Sequence, residues 1–318
     1  MSASKNPARS GNPATRAAAV RHQHEDGRTR ITWIDWIGGA RLRTLPLAIA
    51  PVAAGAGIAA LQKSFSLPLS LLALAVAVLL QIGVNYANDY SDGIRGTDAH
   101  RVGPARLTGS GLVNPKAVLA TALTFFGLAA AAGLVAIVLS GRWWFLAVGV
   151  IAILAAWFYT GGKRPYGYAG LGEIAVFVFF GIVATVGTVW LQSEIIPQEA
   201  WIAGAGIGLL AVAVLIANNT RDIATDKIVG KRTLSVRIGD RASRILFTVC
   251  ALAPFAAPAI YLVAYPGMVY TLFALFGAIS AAVIMLWART SREMVLALAI
   301  TSLAALAYGV LMGVAFAF

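Results

Sequence analysis

Long apolar runs separated by short polar connections recur along the chain, near residues 44–62, 68–89, 116–139, 143–160, 171–192, 200–220, 245–263, 268–287 and 294–316. Runs of roughly 17 to 25 apolar residues are long enough to cross a bilayer core as helices, and in lipid only helices or closed barrels satisfy every backbone polar group. The runs lack the period-two alternation of barrel strands, so the pattern predicts an all-α membrane protein with nine transmembrane helices. Ahead of the first run, Trp33, Ile34, Trp36 and Ile37 stand beside Arg41 and Arg43, the mixture of indoles and cations expected of an amphipathic segment at the membrane interface.

Composition agrees: of 318 residues, 59% are hydrophobic and 12% charged, with a mean hydropathy of +0.79, more apolar than one soluble core can hide. The net charge of +12 does not mark a nucleic-acid binder, because its distribution follows membrane sidedness. When the connections are assigned alternately to two sides, 23 of the 25 Lys and Arg fall on the side of the N-terminus, and only Lys63 and Arg142 on the other. The positive-inside rule then puts the N-terminus and five polar connections in the cytoplasm, and the C-terminus outside. Residues 1–30, with Lys5, Arg9, Arg16, Arg21, Arg28 and Arg30 among small polar residues, read as a disordered basic cytoplasmic tail, leaving 31–318 as the polytopic domain. His22 and His24 in that tail read as solvated side chains rather than a metal site. The single cysteine, Cys250, excludes a disulfide framework and a cysteine metal cage.

Two acidic motifs carry the candidate chemistry. Asn85, Asp89 and Asp92 at the end of the second run share one helical face, with Asp98 following in the loop; Asn218, Asp222 and Asp226 form a similar stripe at the end of the sixth. The likeness of NYANDYSD to NNTRDIATD suggests two four-helix units plus a ninth helix. Carboxylates stacked at helix C-termini repel one another and the helix dipole, so each motif is expected to need a cation. Hard oxygen ligands without His or Cys favour Mg2+, bridging carboxylates to phosphate oxygens. The motif acids and a diphosphate carry about −8 and two magnesium ions return about +4, so basic groups must help. Lys163, Arg101, Arg106 and Arg221 lie in the same connections. For any single acid, a salt bridge on a solvated rim would suffice; two stripes on one membrane face argue for a site.

The segment from Tyr159 to Glu173 joins the fourth and fifth runs. Its glycines allow close approach of a ligand, Lys163 offers a diphosphate contact, and Tyr159 is expected one helical turn earlier on the same face. Tyr159 also fits an interfacial aromatic anchor, and Glu173 a complement to the next helix's N-terminus.

On these residues the chain resembles the UbiA superfamily of intramembrane prenyltransferases, with acidic motifs after the second and sixth of nine helices and a Tyr-x-x-x-Lys element after the fourth. NYANDYSDGIRGTD, RVGPARLTGSGLVNP, GARLRTLP, YTGGKRPYGYAGLGE and ANNTRDIATDKIVGKRTLSVRIGD are most similar to its menaquinone-pathway branch. Ala99-His100 departs from it, where relatives often have another acid. The resemblance implies a UbiA-type bundle in the bacterial cell membrane that transfers a polyprenyl group from polyprenyl diphosphate to 1,4-dihydroxy-2-naphthoate, losing CO2 and diphosphate to give demethylmenaquinone. It further implies Mg2+ on Asp89, Asp92, Asp98, Asp222 and Asp226, and diphosphate held by Asn85, Asn218, Lys163, Arg106, Arg101 and Arg221, with Lys163 and Tyr159 in the catalytic set. The alternatives are another acceptor (4-hydroxybenzoate, haem or a lipid-linked sugar) or a secondary transporter, whose acids tend to lie near the bilayer midplane.

Overall fold

The computed structural model describes residues 31–97, 106–111 and 113–318. The basic tail, Asp98, His100 and Arg101 lie outside the described residues. What is described is helical throughout. A short helix α1 (Trp33–Gly39) leads through a 3-10 turn (Leu42–Thr44) into α2 (Pro46–Leu61), bent from it by 47°. α3 (Leu67–Arg95) starts on a Ser66 cap and stops at Gly96, whose φ of +70° lets the chain turn away. α4 (Pro115–Ser140) and α5 (Phe145–Phe158) follow, then α6 (Gly172–Gln192), which contains a wide π turn at Phe177–Val183. α7 (Gln198–Arg221), α8 (Ile223–Ile228), α9 (Leu234–Leu252), α10 (Ala256–Tyr261), α11 (Phe273–Trp287) and α12 (Ser291–Ala317) complete the chain.

Seven helical stretches among the described residues are long and apolar enough to span a membrane, or eight if the bent α1–α2 pair is one span. Each of the nine predicted runs coincides with helix. The count of nine is not reached by length, because α5 has 14 residues and rises only about 21 Å. Its ends nevertheless mark opposite ends of the bundle. Trp144, just before α5, packs with its ring tilted against Trp190 near the close of α6, centroids 4.0 Å apart, where Gln192 also caps α3 by accepting from Ser66 N–H at 2.7 Å. Beyond α5, Thr160 donates to Asn88 at 2.6 Å, at the acidic end of α3.

α7 is the hub, with 72% of its apolar window buried against 22–44% for the other long spans. Lipid gives no hydrophobic drive to helix association, so small residues that admit close backbones do the packing. A Cβ on Gly181 would run into Gly204 and Gly208 of α7, and one on Gly57 of α2 into the carbonyl of Gly313 on α12. Outward faces are apolar: Trp33 and Ile34 on α1 are 84% and 75% exposed, as a helix lying in the interface requires.

Replacing Gly313 with Val should separate α2 from α12 and lower stability by about 1–3 kcal/mol. Gly127→Ala, with open space at its Cβ, should hold or raise it slightly. Thermal unfolding in detergent reads both; equal melting points would contradict the close-packing account.

Candidate active site

The ends of α3 and α7 face one another across a single cavity of about 540 Å³ lined by both acidic motifs. Asp89, Asp92, Asp222 and Asp226 all line it, though each side chain's residue is under 9% exposed. Past this polar end the walls are apolar, supplied by Val76 and Leu80 of α3, Gly133 and Ile137 of α4, Ile153 of α5 and Val183 of α6.

Buried acids need partners, and each of these meets the need differently. Asp92 accepts Arg106 and Lys231, both at 3.1 Å, and the Tyr168 hydroxyl. Lys231 follows the second motif while Asp92 belongs to the first, so this ion pair ties the two together. Lys231 also lies 4.5 Å above the Tyr168 ring, and burial together with the Asp92 charge raises the Tyr168 phenol, keeping it a donor. Asp222 is bound by Arg221 at 2.6 Å. Asp89 faces the backbone instead: its two oxygens accept Leu107 N–H at 3.0 Å and Thr108 N–H at 2.9 Å, anchoring the segment that carries Arg106. Asp226 is different again. No side chain among the described residues hydrogen bonds to its carboxylate, and burial, resisted by Lys231 but reinforced by Asp222 and Asp92, pushes it up to about 7.

The amides of both motifs line the cavity yet hold structure. Asn85 donates to the Ala40 carbonyl at 2.8 Å, pinning the α1–α2 corner, and the Asn218 oxygen accepts from Arg221 at 2.9 Å, aiming that guanidinium. Tyr159 lines the cavity, edge-on to Tyr166 at 5.5 Å. The predicted shared face of Tyr159 and Lys163 is not formed. α5 ends at Phe158 and the chain bends through Gly162 at φ +74°, leaving Lys163 exposed and away from the cavity lining. Arg41, in the left-handed region at φ +53°, also lines the cavity. Glu173 accepts from Asn219 at 3.0 Å and so joins α6 to α7.

Lys231 and Tyr168 were not singled out by the sequence. Lys231 is one of several cations between Arg221 and Arg244, and spacing alone does not separate them. Among the described residues no three acidic, His or Cys side chains converge into a ready-made metal cage. The donor set is nonetheless of the hard-oxygen kind that suits Mg2+, and Asp226, buried with no bonded counter-charge among the described residues, is what a cation would relieve.

The family model described as the UbiA prenyltransferase family matches residues 48–299. A protein of Mycobacterium tuberculosis named 1,4-dihydroxy-2-naphthoate octaprenyltransferase is 48% identical over 287 residues, covering 90% of this chain and 98% of its own. An Escherichia coli protein of the same name is 40% identical over 215 residues, 66% of this chain and 70% of its own. Among solved structures, the apo form of a UbiA homologue from Aeropyrum pernix superposes with a TM-score of 0.65 at 15% identity, covering 85% of this chain and 96% of that one. A homologue from Archaeoglobus fulgidus bound to DMAPP and Mg2+ gives 0.60 at 14% identity, covering 86% and 97%.

The Asp89 clamp is open to measurement. Asp89→Ala should speed hydrogen exchange at the Leu107 and Thr108 amides by about tenfold or more, since bonds to a carboxylate are among the stronger ones. Asp92→Asn should leave those two amides protected; exchange equally fast in both variants would remove Asp89 from this role.

Proposed function

Because the chain belongs to the UbiA prenyltransferase family, we propose that it transfers a polyprenyl group from polyprenyl diphosphate to 1,4-dihydroxy-2-naphthoate, with loss of CO2 and diphosphate, giving demethylmenaquinone. The observation that carries this reading is the meeting of two acidic helix ends, bridged by Lys231 and Asp92, at the polar end of an otherwise apolar cavity. The substrate class follows from the names borne by relatives of 48% and 40% identity. It is supported by the match between a cavity with one charged end and a substrate with one charged end.

In this mechanism Asp92, Asp222 and Asp226 would hold magnesium, which would supply the Lewis acidity that makes diphosphate a leaving group. Arg106, Arg221 and Lys231, now held by motif carboxylates, turn to the diphosphate oxygens, Arg with paired N–H groups and Lys as a point charge. Asp89 keeps Arg106 in reach through the loop it anchors. The apolar walls exclude water from the allylic cation formed as the C–O bond breaks. Carbon attack from the electron-rich ring forms the new C–C bond, the ring carboxylate departs as CO2, and its bonding pair restores the aromatic ring. The sets proposed from sequence also include Asp89 and Asp98 for the metal and Asn85, Asn218, Lys163 and Arg101 for the diphosphate; of these, Asp98 and Arg101 lie outside the described residues.

The finer topology belongs to the same proposal. Counting the α1–α2 pair and α5 as crossings gives nine, with an even number between the ends of α3 and α7, as the meeting of their motifs demands. The basic connections then face the cytoplasm, with the tail at 1–30, and the site works from that side. The acids sit at helix ends rather than halfway along them, which disfavours a transporter.

Purified chain given Mg2+, a polyprenyl diphosphate and a panel of aromatic acceptors should yield the decarboxylated prenyl naphthoquinol by mass. Asp92→Asn and Asp222→Asn should each cut turnover by about a hundredfold or more while the protein still inserts. Transfer only to 4-hydroxybenzoate would overturn the acceptor assignment.

Metal binding should also be linked to a proton. The folded Asp226 carboxyl lies near 7, above its unfolded value of about 3.9, so without metal it destabilises the fold as pH climbs through that window. A cation must displace its proton below about pH 7, so Mg2+ affinity should be about tenfold weaker at about pH 6 than at about pH 8. The Mg2+-induced rise in melting temperature reads this without activity, and Asp226→Asn should flatten the dependence.

A further inference from the structure

Gln81 interrupts the apolar run of α3 two turns before Asp89, about 12 Å along the helix. It is 7% exposed and lines the same cavity, among Leu47, Ala48, Ala77 and Val84. Its Nε2 donates to the Thr44 hydroxyl at 3.0 Å, and that hydroxyl donates to the Arg41 carbonyl at 2.9 Å. A hydroxyl has one proton, so Thr44, having spent it on a carbonyl, can only accept from Gln81. The amide is thereby fixed with its nitrogen toward Thr44, and a flip would set two acceptors, Oε1 and the Arg41 carbonyl, against the one Thr44 proton. Its Oε1 is left buried, with no hydrogen-bond partner among the described residues.

An acceptor oxygen held rigidly in an apolar wall calls for a donor. Given the substrates of the proposed function, on which this inference rests, the choice is narrow. The prenyl chain has no donor, and the diphosphate and the ring carboxylate present acceptor oxygens that Oε1 would repel. Only the ring hydroxyls donate. We propose that Gln81 reads a hydroxyl of the aromatic acceptor: its Oε1 takes a hydrogen bond from the ring O–H and so turns the reacting edge of the ring toward the diphosphate end. Thr44 and Arg41 act as positioning residues that set the amide. An isostere lacking the hydroxyl would leave Oε1 without a donor in the bound complex, the situation in which sites discriminate most strongly.

The test uses the full chain in detergent with 2-naphthoate, 1-hydroxy-2-naphthoate and 4-hydroxy-2-naphthoate as competitive inhibitors of transfer to 1,4-dihydroxy-2-naphthoate. The native chain should bind at least one monohydroxy compound about tenfold or more tightly than 2-naphthoate. In Gln81→Met that preference should shrink to within about twofold and KM for the dihydroxy acceptor should rise about tenfold, while KM for polyprenyl diphosphate stays within about twofold. Gln81→Leu serves if the Met variant does not fold. Native chain without a hydroxyl preference, or a variant that keeps it, would show that Oε1 serves only water and would overturn the assignment. Absence of any transfer to the dihydroxy acceptor by the native chain would instead sink the functional reading itself, so the two failures are distinct.

Discussion

The structure depends on neutralising carboxylates that have been buried together. Asp89, Asp92, Asp222 and Asp226 sit where two helices end, against the negative ends of both dipoles and largely out of water. Left alone they would drive α3 and α7 apart. Arg106, Lys231, Arg221 and a pair of backbone N–H groups hold the ends together instead, and they come from two connections and the end of α7 itself. The loops around the site are shaped by this demand. In the proposed mechanism each of these cations changes partners when phosphate oxygens arrive, so that the charges of protein and substrate would exchange without leaving the cavity unbalanced.

That exchange explains the division of the cavity. Its charged end collects four of the five buried acids among the described residues, and its walls beyond are mostly aliphatic side chains, phenylalanine and glycine, with Gln81 set among them. A substrate with a hydrophobic tail and a polyanionic head has one orientation of low energy there. The tight Gly and Ala contacts of α2 with α12 and of α6 with α7 lie behind those walls, away from the lipid-facing rows of Leu, Val and Phe.

Much of this was legible in the sequence, because the bilayer imposes long apolar runs and acids inside them are too costly to be incidental. The positions of the helices and the pairing of the two motifs followed from that alone. The individual roles did not. Asp89 and Asp92 share a face and a residue type, and only tertiary contacts send one to backbone amides and the other to Lys231. Lys163 was expected beside Tyr159 because a helix was extended through Gly161 and Gly162, where the chain instead turns. The length of α5 was overestimated for a related reason, since Trp143, Trp144 and Tyr159 count as apolar in a run but lie outside the helix. Gln81 left a signal, an amide among aliphatic neighbours, but carries no charge to draw attention to it.

The π turn of α6 has a consequence for register. A wide turn holds an extra residue, which retards the helical phase by about 100° relative to an unbroken α-helix. With that offset, Glu173 meets Asn219 at one end while Gln192 meets Ser66 and Ser70 at the other. An uninterrupted helix through the same residues could satisfy one of these latches but not both. The extra residue thus behaves as a retained insertion: excising a single position between Phe177 and Val183 would regularise the helix and, in doing so, rotate Glu173 off its amide and unfasten α6 from the hub.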